Sequence, residues 1–175
     1  AYASSTLVIP SIAGIICPMM QGARQSPTQA QWPDPLQPSS AVAVEAHLVA
    51  FWQLLQQLPQ LMQRQEHLLA DHLTTQMRGV IIEMMLALNG IQWPHGTRHL
   101  NHYLSASQRA ALEKTLVTPT VSAESWLGRA VALVVIYRWY APQLVEKFAI
   151  TYPQALEADV WQLLQRELPD WPLTV

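Results

Sequence analysis

The chain is predicted to be mainly α-helical: a bundle of about five to six helices, preceded by a short β segment and a Pro-rich linker. Three observations carry this. Apolar residues recur at three- and four-residue spacing from Val44 to Leu88 and again from Trp126 to Leu164. Five prolines (Pro18, Pro27, Pro33, Pro35 and Pro38) crowd residues 17–40, where they forbid a helix and read as an extended crossing segment. Before them, Leu7, Val8 and Ile9, then Ile15 and Ile16, flank turn residues in the manner of short strands. A lone strand pair is marginal by itself.

The helices follow from punctuation as much as from periodicity. Ser39 and Ser40 offer an N-cap to a helix whose apolar face is Val44, Leu48, Phe51, Leu55 and Leu58. Pro59 either opens the next turn or kinks a continuous helix, a defect costing about 3 kcal/mol if uncompensated. A second helix is expected over 64–89, with a core face of Leu69, Leu73, Met77, Val80, Met84 and Leu88 and a stop at Gly90. A short helix is expected over 98–104. Ser105 and Gln108 have capping-box spacing for a helix over 106–116. Ser122 caps the last long helix, whose stripe is Trp126, Ala130, Leu133, Tyr137 and Tyr140, with a kink expected at Pro142. Tyr152-Pro153 restarts a closing helix through Trp161 and Leu164, ended by Pro169 and Pro172.

Composition narrows the function classes. At 175 residues, one compact domain can bury roughly 70% of its unfolded surface. Half of the residues are hydrophobic and 13% are charged, against about 25% in a typical domain. Such a chain leaves apolar surface for a partner domain or for a second copy in a homodimer. A net charge of −2, with lysine only at Lys114 and Lys147, gives no basic footprint for nucleic acid. Cys17 is the single cysteine, so no intrachain disulfide forms and a reducing, cytoplasmic setting is expected. The apolar run 6–20 is broken by Pro10, Gly14 and Pro18 and is shorter than the ~20 residues that span a bilayer. Neither a signal peptide nor a membrane anchor is expected there. Because the first residue is Ala1 rather than Met, a processed, tagged or fragmentary chain is expected.

Few residues carry chemistry. In Arg64-x-Glu66, helical projection puts Glu66 in line with Leu69, Leu73 and Met77, pointing at the bundle or its mouth. A carboxylate there must be paired, hydrated or turned to a ligand; an interhelix ion pair with Arg129 or Arg138 is the plain alternative. Beside that stripe runs a polar line of Gln65, His72, Gln76 and Glu83. Glu83 sits among Val80, Ile81, Ile82, Met84 and Met85, which would raise its pKa or demand a cationic partner. His67 and Asp71, four apart, read as a surface pair. His95, His99 and His102 resemble metal spacing, but no nearby Cys or acid completes a tetrahedral set. Tyr137, Trp139 and Tyr140 form an aromatic run that is core unless one ring lines a ligand pocket. No phosphate-binding glycine loop, Gly-x-Ser-x-Gly, Cys-x-x-Cys or Asp-x-Asp is present.

Phe51-Trp52, Arg64-x-Glu66-x-x-x-Ala70, Met84 to Gly90, Gly96 with Tyr103-Leu104, Trp126 and Tyr152-Pro153 fall in an order and spacing that resembles a known family. It is the C-terminal helical domain of aminoglycoside nucleotidyltransferase-like proteins, the streptomycin adenylyltransferase type in particular. The resemblance covers residues 41–171. It implies that 1–16 is the tail of an upstream catalytic sheet, 17–40 a linker and 41–175 a helical substrate-binding domain. It further implies that an upstream domain holds Mg²⁺ and a nucleoside triphosphate, with neither bound by this chain alone. The helical domain would form one wall of a cleft for a hydroxylated, cationic small molecule. Glu66 falls on the matching Arg-x-Glu position; Asp71, His72, Glu83 and Tyr137 are added as candidate substrate contacts from helix geometry. The other reading is a stand-alone helical interaction or regulatory module, of the kind that partners in toxin–antitoxin pairs, without catalysis.

Overall fold

A computed structural model describes residues 36–93, 99–116, 122–169 and 171–172. The β segment expected over 1–16 and most of the linker lie outside them. The described residues form a helical bundle: α1 (Ala41–Leu55), α2 (Leu58–Gln63), α3 (His67–Leu88), the single turn α4 (Leu100–Tyr103), α5 (Ala106–Lys114), α6 (Ala123–Phe148) and α7 (Gln154–Glu167).

Most helix ends are set by the expected caps. Ser40 accepts from the Ala43 N–H at 3.2 Å to start α1, and Ser122 accepts from the Ser125 N–H at 3.3 Å to start α6. Ser105 and Gln108 make both halves of a capping box at the head of α5. At the tail of α3, Gly90 takes φ +88°. There the Ile91 N–H reaches the Leu86 carbonyl and the Gly90 N–H the Ala87 carbonyl, both at 3.0 Å, the double bond of a Schellman motif. Pro142 does not end α6, which runs unbroken through it.

The joint differs from the expected single helix over 64–89. Pro59 opens α2 instead of kinking α1. The chain then reverses at Gln65, a non-glycine residue at φ +56°. The Glu66 N–H bonds the Leu61 carbonyl at 3.0 Å and the Gln65 N–H the Met62 carbonyl at 3.1 Å, a second Schellman motif with glutamine where glycine is usual. Helix α3 therefore starts only at His67. Its inward face is Ala70, Leu73, Met77, Ile81 and Met84, one residue out of the expected phase at its head, while Leu69 is 51% exposed.

Helices α1 and α3 form a hairpin through α2. The start of α1 is held beside the end of α3 by Ser39, whose hydroxyl donates to the Ile91 carbonyl at 2.5 Å, and by the Gln92 N–H on the Gln37 carbonyl at 2.7 Å. Helix α5 then runs back along α3: Asn89 at the end of α3 meets Gln108 at 3.1 Å, and Arg78 in mid-α3 meets Thr115 at 2.9 Å. This return lets α6 lie parallel to α3. Trp126 and Arg129 sit on the head of α3. Lys147 donates to the Ala87 and Leu88 carbonyls at its tail, at 3.0 and 2.7 Å, a cation on a helix C-terminus.

The core is aromatic where α1, α6 and α7 meet. Phe51 stacks on Tyr137 at 4.2 Å, and Trp52 lies 5.2 Å from Tyr137 and 6.0 Å from Trp161. Two buried tyrosines of α6 differ in a testable way. The Tyr137 hydroxyl donates to the Leu48 carbonyl at 3.1 Å. The Tyr140 hydroxyl has no hydrogen-bond partner among the described residues, and burial pushes its pKa up to about 12. Tyr137→Phe should lose about 1 kcal/mol of stability, and Tyr140→Phe should lose nothing or gain a few tenths. Urea unfolding of the two variants checks the contrast; equal losses would refute it.

Candidate functional site

The parallel setting of α3 and α6 puts both helix heads at one corner of the bundle, beside the α2–α3 joint. Glu66 is the N-cap residue of α3, and its side chain makes no capping bond. It is exposed and does not point into the bundle as helical projection suggested, because the helix begins one residue after it. Asp71 and His72 lie on the first two turns and are also exposed. Three of the five expected contact residues are thus exposed near the head of α3.

The head of α3 is braced from α6 through His67, Asp71 and Thr74. The Trp126 indole N–H donates to Nδ1 of His67 at 3.0 Å, which leaves Nε2 as the imidazole's other nitrogen to carry a proton. Arg129 reaches Asp71 Oδ1 at 2.8 Å and the Thr74 hydroxyl oxygen at 3.3 Å. Its guanidinium sits 4.8 Å over the Trp126 ring. His67 and Asp71 are therefore not paired with each other; each is engaged by α6. The Arg129 side chain is 9% exposed and that of Asp71 55%, so the arginine is the buried brace and the carboxylate faces outward. Its ion pair adds modestly, since Asp71 is solvated. Two further leucines, Leu68 at 87% and Leu69 at 51% exposure, flank this corner.

The remaining candidates lie elsewhere. Glu83 is half-buried on α3, about 25 Å along the helix from Glu66 at 1.5 Å per residue. Tyr137 is fully buried with its hydroxyl committed to α1. Arg138 is directed to Glu157 of α7, at 3.9 Å, and does not serve Glu66. His95 lies outside the described residues, while His99 and His102 place their rings 5.6 Å apart. Among the described residues no group of three or more His, Cys, Asp and Glu is arranged to hold a metal. No helix of the described residues is long and apolar enough to cross a membrane.

Periodicity alone could not have found His67, Trp126, Arg129 and Thr74 as a unit, because they meet across 55 to 59 residues of sequence. The one available signal was a tryptophan three residues before an arginine at the capped head of a helix. Set against protein-family models, curated proteins and solved structures, the chain matches none of them.

Proposed function

We propose that this chain is the helical acceptor-binding domain of a nucleotidyltransferase. The reaction moves a nucleoside monophosphate from a triphosphate onto a hydroxyl of a small, cationic, aminoglycoside-like acceptor. The observation that carries the reading is the head of α3, where Glu66, Asp71 and His72 are exposed and Trp126 and Arg129 hold His67 and Asp71 from α6. An Asp71 carboxylate held from behind by Arg129, with its outward face in water, and an exposed Glu66 suit the ammonium and hydroxyl groups of such an acceptor. The helical architecture and the dispersed residues of the family pattern support it.

Among the described residues no group of three or more His, Cys, Asp and Glu is arranged for a metal, and the sequence holds no Asp-x-Asp. In this reading the triphosphate and its metal belong to a catalytic domain upstream, and the present residues position the acceptor. Exposed Leu68 and Leu69 are then covered by that domain. The same leucines favour the second reading, an interaction module whose partner covers them without catalysis.

The test is transfer of labelled nucleotide from ATP to streptomycin-type acceptors by the protein made from its complete reading frame. Acceptor binding to the present chain is measured alongside by calorimetry. Glu66→Gln should weaken acceptor binding and transfer about tenfold while moving Tm by no more than about 2 °C. Equal loss of stability and activity would make Glu66 structural. Absence of any labelled product, together with a stable partner complex that needs no triphosphate, would favour the interaction module.

A further inference from the structure

A second concave surface lies about 20 Å along α6 from the corner, at the 1.5 Å rise of a helix. It is an open groove of about 410 Å³ between the second half of α6 and the Tyr152–Glu157 stretch that begins α7. That is within the size range of small-molecule sites. One wall is apolar, made by Ala141, Pro142 and Val145; the other is polar, made by Arg138, Glu146, Tyr152 and Glu157.

The polar groups differ in how far they are committed. Glu157 Oε1 accepts from the Trp161 indole at 3.2 Å and lies 3.9 Å from Arg138 Nε, beyond hydrogen-bond distance. The Arg138 guanidinium rests 5.7 Å from the Trp161 ring. The Tyr152 hydroxyl accepts from the Trp52 indole at 3.3 Å and hydrogen-bonds Glu157. Burial, and then that neighbouring carboxylate, push its pKa well above the usual phenol range, so it stays a protonated, uncharged rim. Glu146 is exposed and has no hydrogen bond or ion pair among the described residues. Two carboxylates and one guanidinium line the groove, which leaves it with one formal negative charge beside an apolar wall.

We infer that this groove binds a small organic amine, its ammonium on Glu146 at the rim and its apolar body against Pro142, Val145 and the Tyr152 ring. Charge balance selects a cation over an anion. The apolar wall selects an amine carried on a hydrocarbon ring or chain over a bare polar cation. The site is separate from the Glu66 corner and does not depend on the nucleotidyltransferase reading.

Phenethylamine, 2-phenylethanol and 3-phenylpropionate share one apolar body and differ in charge, so their binding to the intact chain, followed by ligand-observed and protein-observed NMR, tests the assignment. Phenethylamine should bind, the alcohol about tenfold more weakly, and the carboxylate not detectably. Glu146→Gln, an exposed change, should lower phenethylamine affinity about tenfold and leave the affinity for the alcohol unchanged. Equal binding of amine and alcohol, no binding of the amine, or an unchanged amine affinity in Glu146→Gln would each overturn the inference. Chemical-shift changes at Val145 and Tyr152 locate the ligand; changes confined to the Glu66 corner would also overturn it.

Discussion

Trp52→Ala should destabilise the bundle by about 3–5 kcal/mol, the range for deleting a buried large aromatic. Trp52 is fully buried, and its ring joins three helices: it packs edge-on to Phe51 at 5.8 Å and to Tyr137 at 5.2 Å, and lies 6.0 Å from Trp161. Its indole N–H is also spent on the Tyr152 hydroxyl at 3.3 Å. Truncation would open a cavity where α1, α6 and α7 meet and remove a donor from a half-buried phenol. Trp52→Phe keeps most of the apolar volume and should lose less than half as much. A domain of this size is stable by about 5–15 kcal/mol, so the alanine variant would be marginal. Urea midpoints at constant m-value measure both losses. A loss below about 1 kcal/mol for the alanine variant would mean that the aromatic cluster is not what holds α7 to the bundle.

Pro142→Ala should act in the opposite direction. Proline inside a helix lacks the N–H for the carbonyl four residues back, here that of Arg138, and its ring crowds that carbonyl. Helix α6 nevertheless continues through Pro142 to Phe148, so its neighbours bear the cost. Alanine restores the donor and the best helix propensity, for an expected gain of about 1–3 kcal/mol. The midpoint should rise with m unchanged. The same change strips the ring from the apolar wall of the groove, so amine binding should fall as stability rises, the usual trade between a strained site and a relaxed fold. A variant less stable than the parent would show that the proline ring is itself a needed packing element.

These expectations rest on features that were unequally legible in the sequence. Local signals read well: Ser40 and Ser122 as caps, Ser105 with Gln108 as a capping box, Gly90 as a stop, and the stripe Trp126, Ala130, Leu133, Tyr137 and Tyr140, all of it buried. Each is decided within four residues. The α2–α3 joint did not read well, because its reversal falls on Gln65, a residue with no preference for positive φ. Leu69 was placed inward on the same account: without a visible helix start, the phase of the first turn was one residue off. Glu66, Asp71 and His72 could be picked out along one helix. The bracing of His67 and Asp71 by Trp126 and Arg129 could not, and neither could the groove that Glu146, Tyr152 and Glu157 line together across the α6–α7 turn. Those depend on how helices are set beside one another, which periodicity within a helix does not encode.

The parallel setting of α3 and α6 also dictates an order of assembly. Every tie between them spans nearly the same stretch of chain: His67 to Trp126 is 59 residues, Asp71 to Arg129 is 58, and Ala87 to Lys147 is 60. The α1–α3 hairpin can begin from short-range contacts at its α2 joint, with the Ser39–Ile91 tie across 52 residues closing last. The corner must wait for a loop of about sixty residues to close, and such long-range closures come late and slowly. During synthesis at about 5–20 residues per second, α3 therefore spends several seconds with its α6-facing side uncovered. A nascent chain that stops short of Arg129 already carries Glu66, Asp71 and His72, but not the arrangement that makes them a site.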